Sequence, residues 1–440
     1  MSPTLHRTVR TVPFLTVIGV AIGVFLSGLA RGEGIQQGGT SLDAVVRSLG
    51  LQPHPSTPEI PRLPEVPAAE KSGHVYDCRP GPWGNLEYYY IYMEAPASLV
   101  ERFPMPNSVT KWSFPGWTSE QVRNLFEKAH LGKAFQDAML EPNHFLVEEG
   151  VLTVFPPQDQ LEAMTPDQRG MVYEQLGQYD ENELYKDPVL ITCNDMDDWL
   201  KGTHLRSGLE EKLRKFLYKK HEVLALSDLS AMLNYVVTDQ EARDLQRLMT
   251  RNRTLILRLK VGLEAEMSKL AEYWEGPGHR NMDIQPILQS SLSMEGITRL
   301  DITHLLPPLA RERLFSYPKL DMALLGRIPD CHWTSLNFFN TNPKDYYLNT
   351  RLAADQVLEN YEKIGLPSQL GDILMFIDKK TGLAVHSCAY VADDIVYTKN
   401  GDNLVTPWIL MKLDELKRVY FFGEEGVIQA YRLKAPAQNG

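Results

Sequence analysis

Two side chains near the end of the chain have the chemistry of a covalent catalyst. Cys331 sits in the run Pro329-Asp330-Cys331-His332-Trp333, and His386 in the run Ala384 to Val391 (AVHSCAYV). A thiolate attacks acyl carbon readily, and an imidazole takes up and returns the proton. Pro329 and Asp330 form a helix-entry signal, so Cys331 is expected in the first turn of a helix reaching into Thr334–Phe339. There the partial positive charge and free N–H groups of a helix start favour thiolate over thiol. Cysteine is also among the most buried residue types, and packing is the competing reading.

The elements that must position this pair can be read around it. Gly371-Asp372 opens an apolar run, Ile373 to Ile377, expected as a central strand. Lys379 to Gly382 reads as a hairpin turn, Ala384 to Val391 as the returning strand, Asp393-Asp394 as the next turn, and Ile395 to Thr398 as a third strand. Alternation places His386, Cys388 and Tyr390 on one face. A helix across this hairpin would bring Cys331 toward His386, and a polar group of the third strand would orient the imidazole as the third member of a triad does.

This order of helix-Cys, Gly-Asp-strand and His-strand resembles the NlpC-type cell-wall cysteine peptidases, papain-like enzymes that cleave peptides of bacterial peptidoglycan. Asp330 and Cys331 match the pair that opens the family's catalytic helix. Gly371 and Asp372 match its Gly-Asp, and His386, Tyr390, Asp393 and Asp394 match its histidine strand and turn. The resemblance implies Cys331 as nucleophile, His386 as general base, and a third residue at Asn400, favoured for its amide, or at Thr398, the nearer match by count. It covers roughly residues 325 to 420. His332 and Trp333 depart from the small residue that usually follows the family's cysteine, and the Tyr-Gly pair before it is missing. Because neighbours on a helix point about 100° apart, His332 is expected at the rim of the site and not facing Cys331. Cys388 is expected to pack.

Composition bounds the rest. The chain has 440 residues, a net charge of −11 and no basic stripe, which argues against a nucleic-acid binder. Cys78, Cys193, Cys331 and Cys388 contain no CxxC, and no HExxH occurs, so neither a metal nor an organic cofactor is expected. Cys78 and Cys193 could pair. His6, Arg7 and Arg10 precede an uncharged stretch from Val12 to Leu29 and a small-x-small site at Gly28-Leu29-Ala30. Residues 1–31 therefore read as a secretory signal or an uncleaved membrane anchor, through residues 12–29; either places the remainder outside the cytoplasm. Residues 32–72 read as a proline-rich linker, with prolines at 53, 55, 58, 61, 64 and 67.

Residues 73–310 read as a mixed α/β region with no catalytic motif. Strands are expected at Glu87–Tyr92, Val151–Phe155 and Thr254–Val261. Helices are expected at Ser119–Leu140, from Thr165-Pro166-Asp167, at Ser227–Val236, Asp239–Met249 and Leu263–Trp274. Tyr420-Phe421-Phe422 and Val427–Leu433 read as a closing strand pair. The expected class is α+β, with a papain-like helix on an antiparallel sheet in residues 311–440. The expected function is an exported cysteine amidase or peptidase acting on a peptidoglycan peptide or another envelope amide. The rival is an inactive envelope binding or scaffold protein of degenerate hydrolase-like fold.

Overall fold

A computed structural model of the chain describes residues 70–101, 106–262, 267–421 and 426–434. The expected leader and nearly all of the proline-rich segment lie outside the described residues. No helix among the described residues is long and apolar enough to cross a membrane.

Helices and antiparallel sheets alternate along the chain. Strands β1 (Tyr76–Asp77) and β2 (Leu86–Met93) come first. Strands β3 (Trp112–Pro115), β4 (Phe145–Glu148) and β5 (Val151–Val154) form one small sheet in the order β3-β5-β4. Strands β6 (Val189–Ile191), β7 (Tyr218–Lys220) and β8 (Val223–Leu226) form another, β6-β8-β7. Strands β9 (Asn252–Lys260) and β10 (Arg299–Asp301) then complete a four-stranded sheet, β1-β2-β9-β10. The C-terminal sheet is built from β11 (Tyr361–Ile364), β12 (Ile373–Asp378), β13 (Ala384–Ala392), β14 (Ile395–Lys399), β15 (Trp408–Lys412) and β16 (Gly426–Leu433), in the order β11-β16-β12-β13-β14-β15.

Local signals account for many boundaries. Thr118 and Thr165 each close a capping box with a glutamine three residues on, starting the helices Ser119–Lys128 and Pro166–Leu176. The helix Asp239–Met249 matches its expected span. Other expectations are corrected. Ser119–Leu140 is two helices, Ser119–Lys128 and Lys133–Met139, because His130 adopts φ 56°, which ends the first one. The helix expected from Ser227 to Val236 is shorter, Leu229–Leu233. Tyr420 ends a helix, Leu413–Tyr420, instead of starting a strand, and β16 pairs with β11 and β12.

One apolar core runs from Leu86 and Tyr88 of β2 through Leu255 and Leu257 of β9 to Ala389, Tyr397 and Leu410 of the C-terminal sheet, crossing the expected boundary at 310/311. The two sheets also share polar bonds. Leu410 N donates to Thr254 Oγ1 at 3.1 Å, and Thr254 Oγ1 donates to Leu410 O at 2.9 Å. A buried hydroxyl satisfied on both sides locks β9 to β15.

Candidate active site

The Cys331 helix spans Cys331–Leu336, with Asp330 as its N-cap; Asp330 Oδ1 accepts from Trp333 N at 2.7 Å. The helix body lies on the face of the sheet that carries Ser387, Ala389 and Tyr397. Ser387 Oγ is 2.7 Å from Ser335 Oγ, 2.9 Å from His332 Nδ1 and 3.3 Å from the Cys331 carbonyl oxygen. Trp408 Nε1 donates to Thr334 Oγ1 at 3.0 Å. His332 thus turns inward onto the sheet instead of standing at a rim. Burial pushes its pKa down, against the pull of Asp330.

His386 projects from the opposite face, with Cys388 and Thr398, toward the Leu413–Tyr420 helix. Its ring stacks on Tyr420 with centroids 4.2 Å apart and planes at 17°, and meets Phe376 edge-on at 5.4 Å. His386 Nε2 is 2.9 Å from Thr398 Oγ1, and Thr398 Oγ1 donates to Asn400 Oδ1 at 3.3 Å. A threonine hydroxyl has one proton. With that proton on Asn400, the Thr398 oxygen accepts from His386, so Nε2 carries the hydrogen and Nδ1 the lone pair. That Nδ1 is buried and has no hydrogen-bond partner.

The expected residues therefore divide. His386, Thr398 and Asn400 form one connected chain, which joins the two alternatives for the third residue instead of choosing between them. Cys331 makes no hydrogen bond to His386. It acts electrostatically on Cys388, two residues along the strand from His386, and on Tyr420, which stacks on the imidazole. Cys388 is pushed well above the ordinary thiol value by burial and then by Cys331, and Tyr420 likewise by burial and then by Cys331 and Cys388. Backbone pairing between β13 and β14 reaches only to Ala389↔Tyr397, so the strands part beside His386 and Thr398.

Gly371 and Asp372 serve the framework. Gly371 holds φ +81°, and a Cβ there would meet the Phe339 ring at 2.1 Å. The Asp372 carboxylate accepts from Ser368 N (2.8 Å), Gln369 N (3.0 Å), and Arg432 Nε (2.8 Å) and Nη2 (2.6 Å), which ties the start of β12 to β16. All four cysteines are free, so Cys78 and Cys193 do not pair. No group of His, Cys, Asp and Glu among the described residues could hold a metal ion.

Sequence reasoning missed Lys399. It is fully buried at the end of β14, where Nζ donates to Gly401 O (2.7 Å), Thr406 Oγ1 (2.9 Å) and Asn403 O (3.1 Å). Burial pushes its pKa down to about 7, against Asp402, Asp330 and Cys331. A lysine before Asn-Gly has no sequence signal that separates it from a solvated turn residue.

The chain matches no protein-family model, no curated protein and no solved structure with which it was compared.

Proposed function

We propose that this chain is an exported cysteine hydrolase of the envelope, cleaving an amide or peptide bond such as those of peptidoglycan peptides. One observation carries the reading: His386 is held through Nε2 and leaves a bare, buried Nδ1, and the imidazole stacks on Tyr420, whose hydroxyl feels the charge of Cys331. A buried polar atom without a partner costs about 1–3 kcal/mol, and such atoms persist where chemistry uses them. In the proposed reaction, Nδ1 takes the Cys331 proton and the thiolate attacks the amide carbonyl carbon. The resulting oxyanion would be met by the N–H groups at the start of the Cys331 helix, where Trp333 N is already taken by Asp330. The imidazolium returns its proton to the leaving amine, and water then releases the acyl group by the same route. Thr398 and Asn400 fix the ring and its tautomer, and Tyr420 covers it.

The measurement is the alkylation rate of Cys331 against pH, read by peptide mass spectrometry because four free thiols are present. The reading requires Cys331 to alkylate at mildly acidic pH and to slow by at least about tenfold in His386→Ala. Equal rates in both proteins would overturn it, as would undiminished turnover of an envelope peptide by Cys331→Ala. The second reading, a binding or scaffold protein, is favoured by burial: Cys331 is 8% exposed and His386 is fully enclosed.

A further inference from the structure

The small sheet β3-β5-β4 ends on a bare strand. β4 reads Phe145-Leu146-Val147-Glu148, and its Leu146 and Val147 are 46% and 58% exposed. An unpaired edge is a row of free N–H and C=O groups that another strand can take, and folded chains blunt such rows with lysine, proline or a covering segment. Other edges of this molecule show these devices. On β3, the opposite edge of the same sheet, Ser113 N donates to Asn182 Oδ1 at 2.9 Å and Asn182 Nδ2 donates to Ser113 O at 2.7 Å. On β15, Phe315 N donates to Trp408 O at 2.9 Å, Trp408 N donates to Ser316 O at 3.1 Å, and the Thr254 hydroxyl serves both backbone groups of Leu410. β7 carries Lys219 and Lys220. β4 has neither lysine nor proline, and no strand among the described residues pairs with its outer side.

The hairpin fixes which groups face outward. Phe155 N donates to His144 O at 2.7 Å, so residue 144 turns its carbonyl toward the β5 side. Opposed residues of an antiparallel pair alternate between bonded and non-bonded. Leu146 and Glu148, opposite Thr153 and Val151, therefore bond β5, while Phe145 and Val147 turn their N–H and C=O outward. A second β4 running antiparallel must set outward residues against outward residues, which leaves three two-fold registers. With the axis at Phe145, Leu146 meets His144 and Val147 meets Asn143. With the axis at Val147, Leu146 meets Glu148. With the axis at Leu146, Leu146 meets its own copy and Val147 meets Phe145, on the face where Phe145 already packs against the core. Glu148 then lies opposite His144, so no two carboxylates meet. Only this last register covers both exposed apolar side chains with apolar ones. A strand that matches itself in this way has what an isologous two-fold contact requires, which argues for a second copy of the chain as its occupant.

We infer that β4 pairs edge to edge with β4 of a second copy about a two-fold axis at Leu146, joining two three-stranded sheets into one of six strands. The contact is independent of the Cys331 chemistry.

The test is sedimentation of the full chain over a range of concentrations. A contact confined to one short strand pair is small, so a reversible dimer with Kd on the order of 1–100 μM is expected. Leu146→Lys sets two ammonium groups against each other at the axis and should weaken the dimer at least about tenfold, with the urea midpoint of the monomer unchanged because the side chain faces solvent. Should that variant not fold, Val147→Lys removes the contact with Phe145 and should weaken the dimer as well. The register is read by cross-linking with diamide as oxidant. Opposed residues of a non-bonded pair have Cα atoms about 4.5 Å apart, within the span of a disulfide. Leu146→Cys should therefore give a covalent dimer linked through residue 146, identified by peptide mass spectrometry, and Val147→Cys should link at least about tenfold more slowly. A monomer at every concentration would overturn the inference and leave the edge to a strand of another protein. A dimer undiminished in folded Leu146→Lys, or equal cross-linking at the two positions, would overturn it too.

Discussion

Two buried polar clusters, one in each half of the molecule, differ in how completely they are satisfied. In the first half, Arg169 is fully enclosed and spends both terminal nitrogens on the carbonyls of Leu161 and Met164. Its Nε faces Asp228 at 3.4 Å; that carboxylate also accepts from Tyr173 (2.6 Å) and Tyr185 (3.3 Å), and Tyr185 accepts from Trp112 at 2.9 Å. No side-chain atom of these five residues is left over. The second cluster, His386–Thr398–Asn400, encloses its histidine and threonine fully, leaves Asn400 half-buried, and ends on a bare nitrogen. A closed network specifies a core, whereas a buried nitrogen left without a partner calls for an explanation. The difference sets a satisfied core network beside one that the proposed hydrolase would use.

The largest expected effect breaks the closed network. Asp228→Ala leaves Arg169 and two tyrosine hydroxyls buried without their acceptor, and should cost about 3–5 kcal/mol in urea unfolding. Burial already pushes the Asp228 pKa up against the pull of Arg169, so this carboxylate is held by its partners and not by solvent. A loss below about 1 kcal/mol would mean that water enters and the network is not closed.

Lys399 sharpens the comparison, because its hydrogen bonds are complete while its charge is not. Its folded pKa of about 7 lies below the ordinary lysine value. Between about pH 7 and pH 10 the unfolded chain therefore binds a proton that the folded chain does not, and stability rises with pH. The slope from this one group is at most about 1.4 kcal/mol per pH unit, and it vanishes below pH 7, where both states are protonated. The unfolding free energy of the unaltered chain should gain about 2 kcal/mol over Lys399→Met between pH 7 and pH 9. Parallel curves for the two proteins would show that the ammonium is hydrated.

What the sequence made legible follows the range of the forces involved. The β12–β13–β14 meander could be read because alternation and turn residues act locally, and the capping boxes at Thr118 and Thr165 for the same reason. The pairing of β16 with β11 and β12 could not, since register between distant strands leaves no local trace. The aromatic run at Tyr420 suggests a strand, yet Tyr420 ends the helix Leu413–Tyr420 and stacks on His386, so local propensity is overridden. The site shows the same split. Cys331 at a helix start and His386 on a strand are local facts. That the helix body would lie on the Ser387 face, with the imidazole on the other, depends on where the whole sheet buries its two sides.

The smallest expected change in stability tests the open cluster most directly. Thr398→Val removes one hydroxyl and keeps the volume near that of the threonine. Its Oγ1 bonds only His386 and Asn400, so the loss should be about 1 kcal/mol, well short of that in Asp228→Ala. The effect on chemistry should be larger than the effect on stability. Without the Thr398 oxygen, nothing in the site holds the hydrogen on Nε2, and the imidazole can place it on Nδ1, where it cannot accept the Cys331 proton. Alkylation of Cys331 should then slow toward the rate in His386→Ala, while Asn400→Asp, which keeps an acceptor for the Thr398 hydroxyl, should stay near the unaltered rate. If Thr398→Val instead costs as much stability as Asp228→Ala and leaves the thiol reactivity alone, the second cluster is a core network like the first, and the scaffold reading gains over the hydrolase.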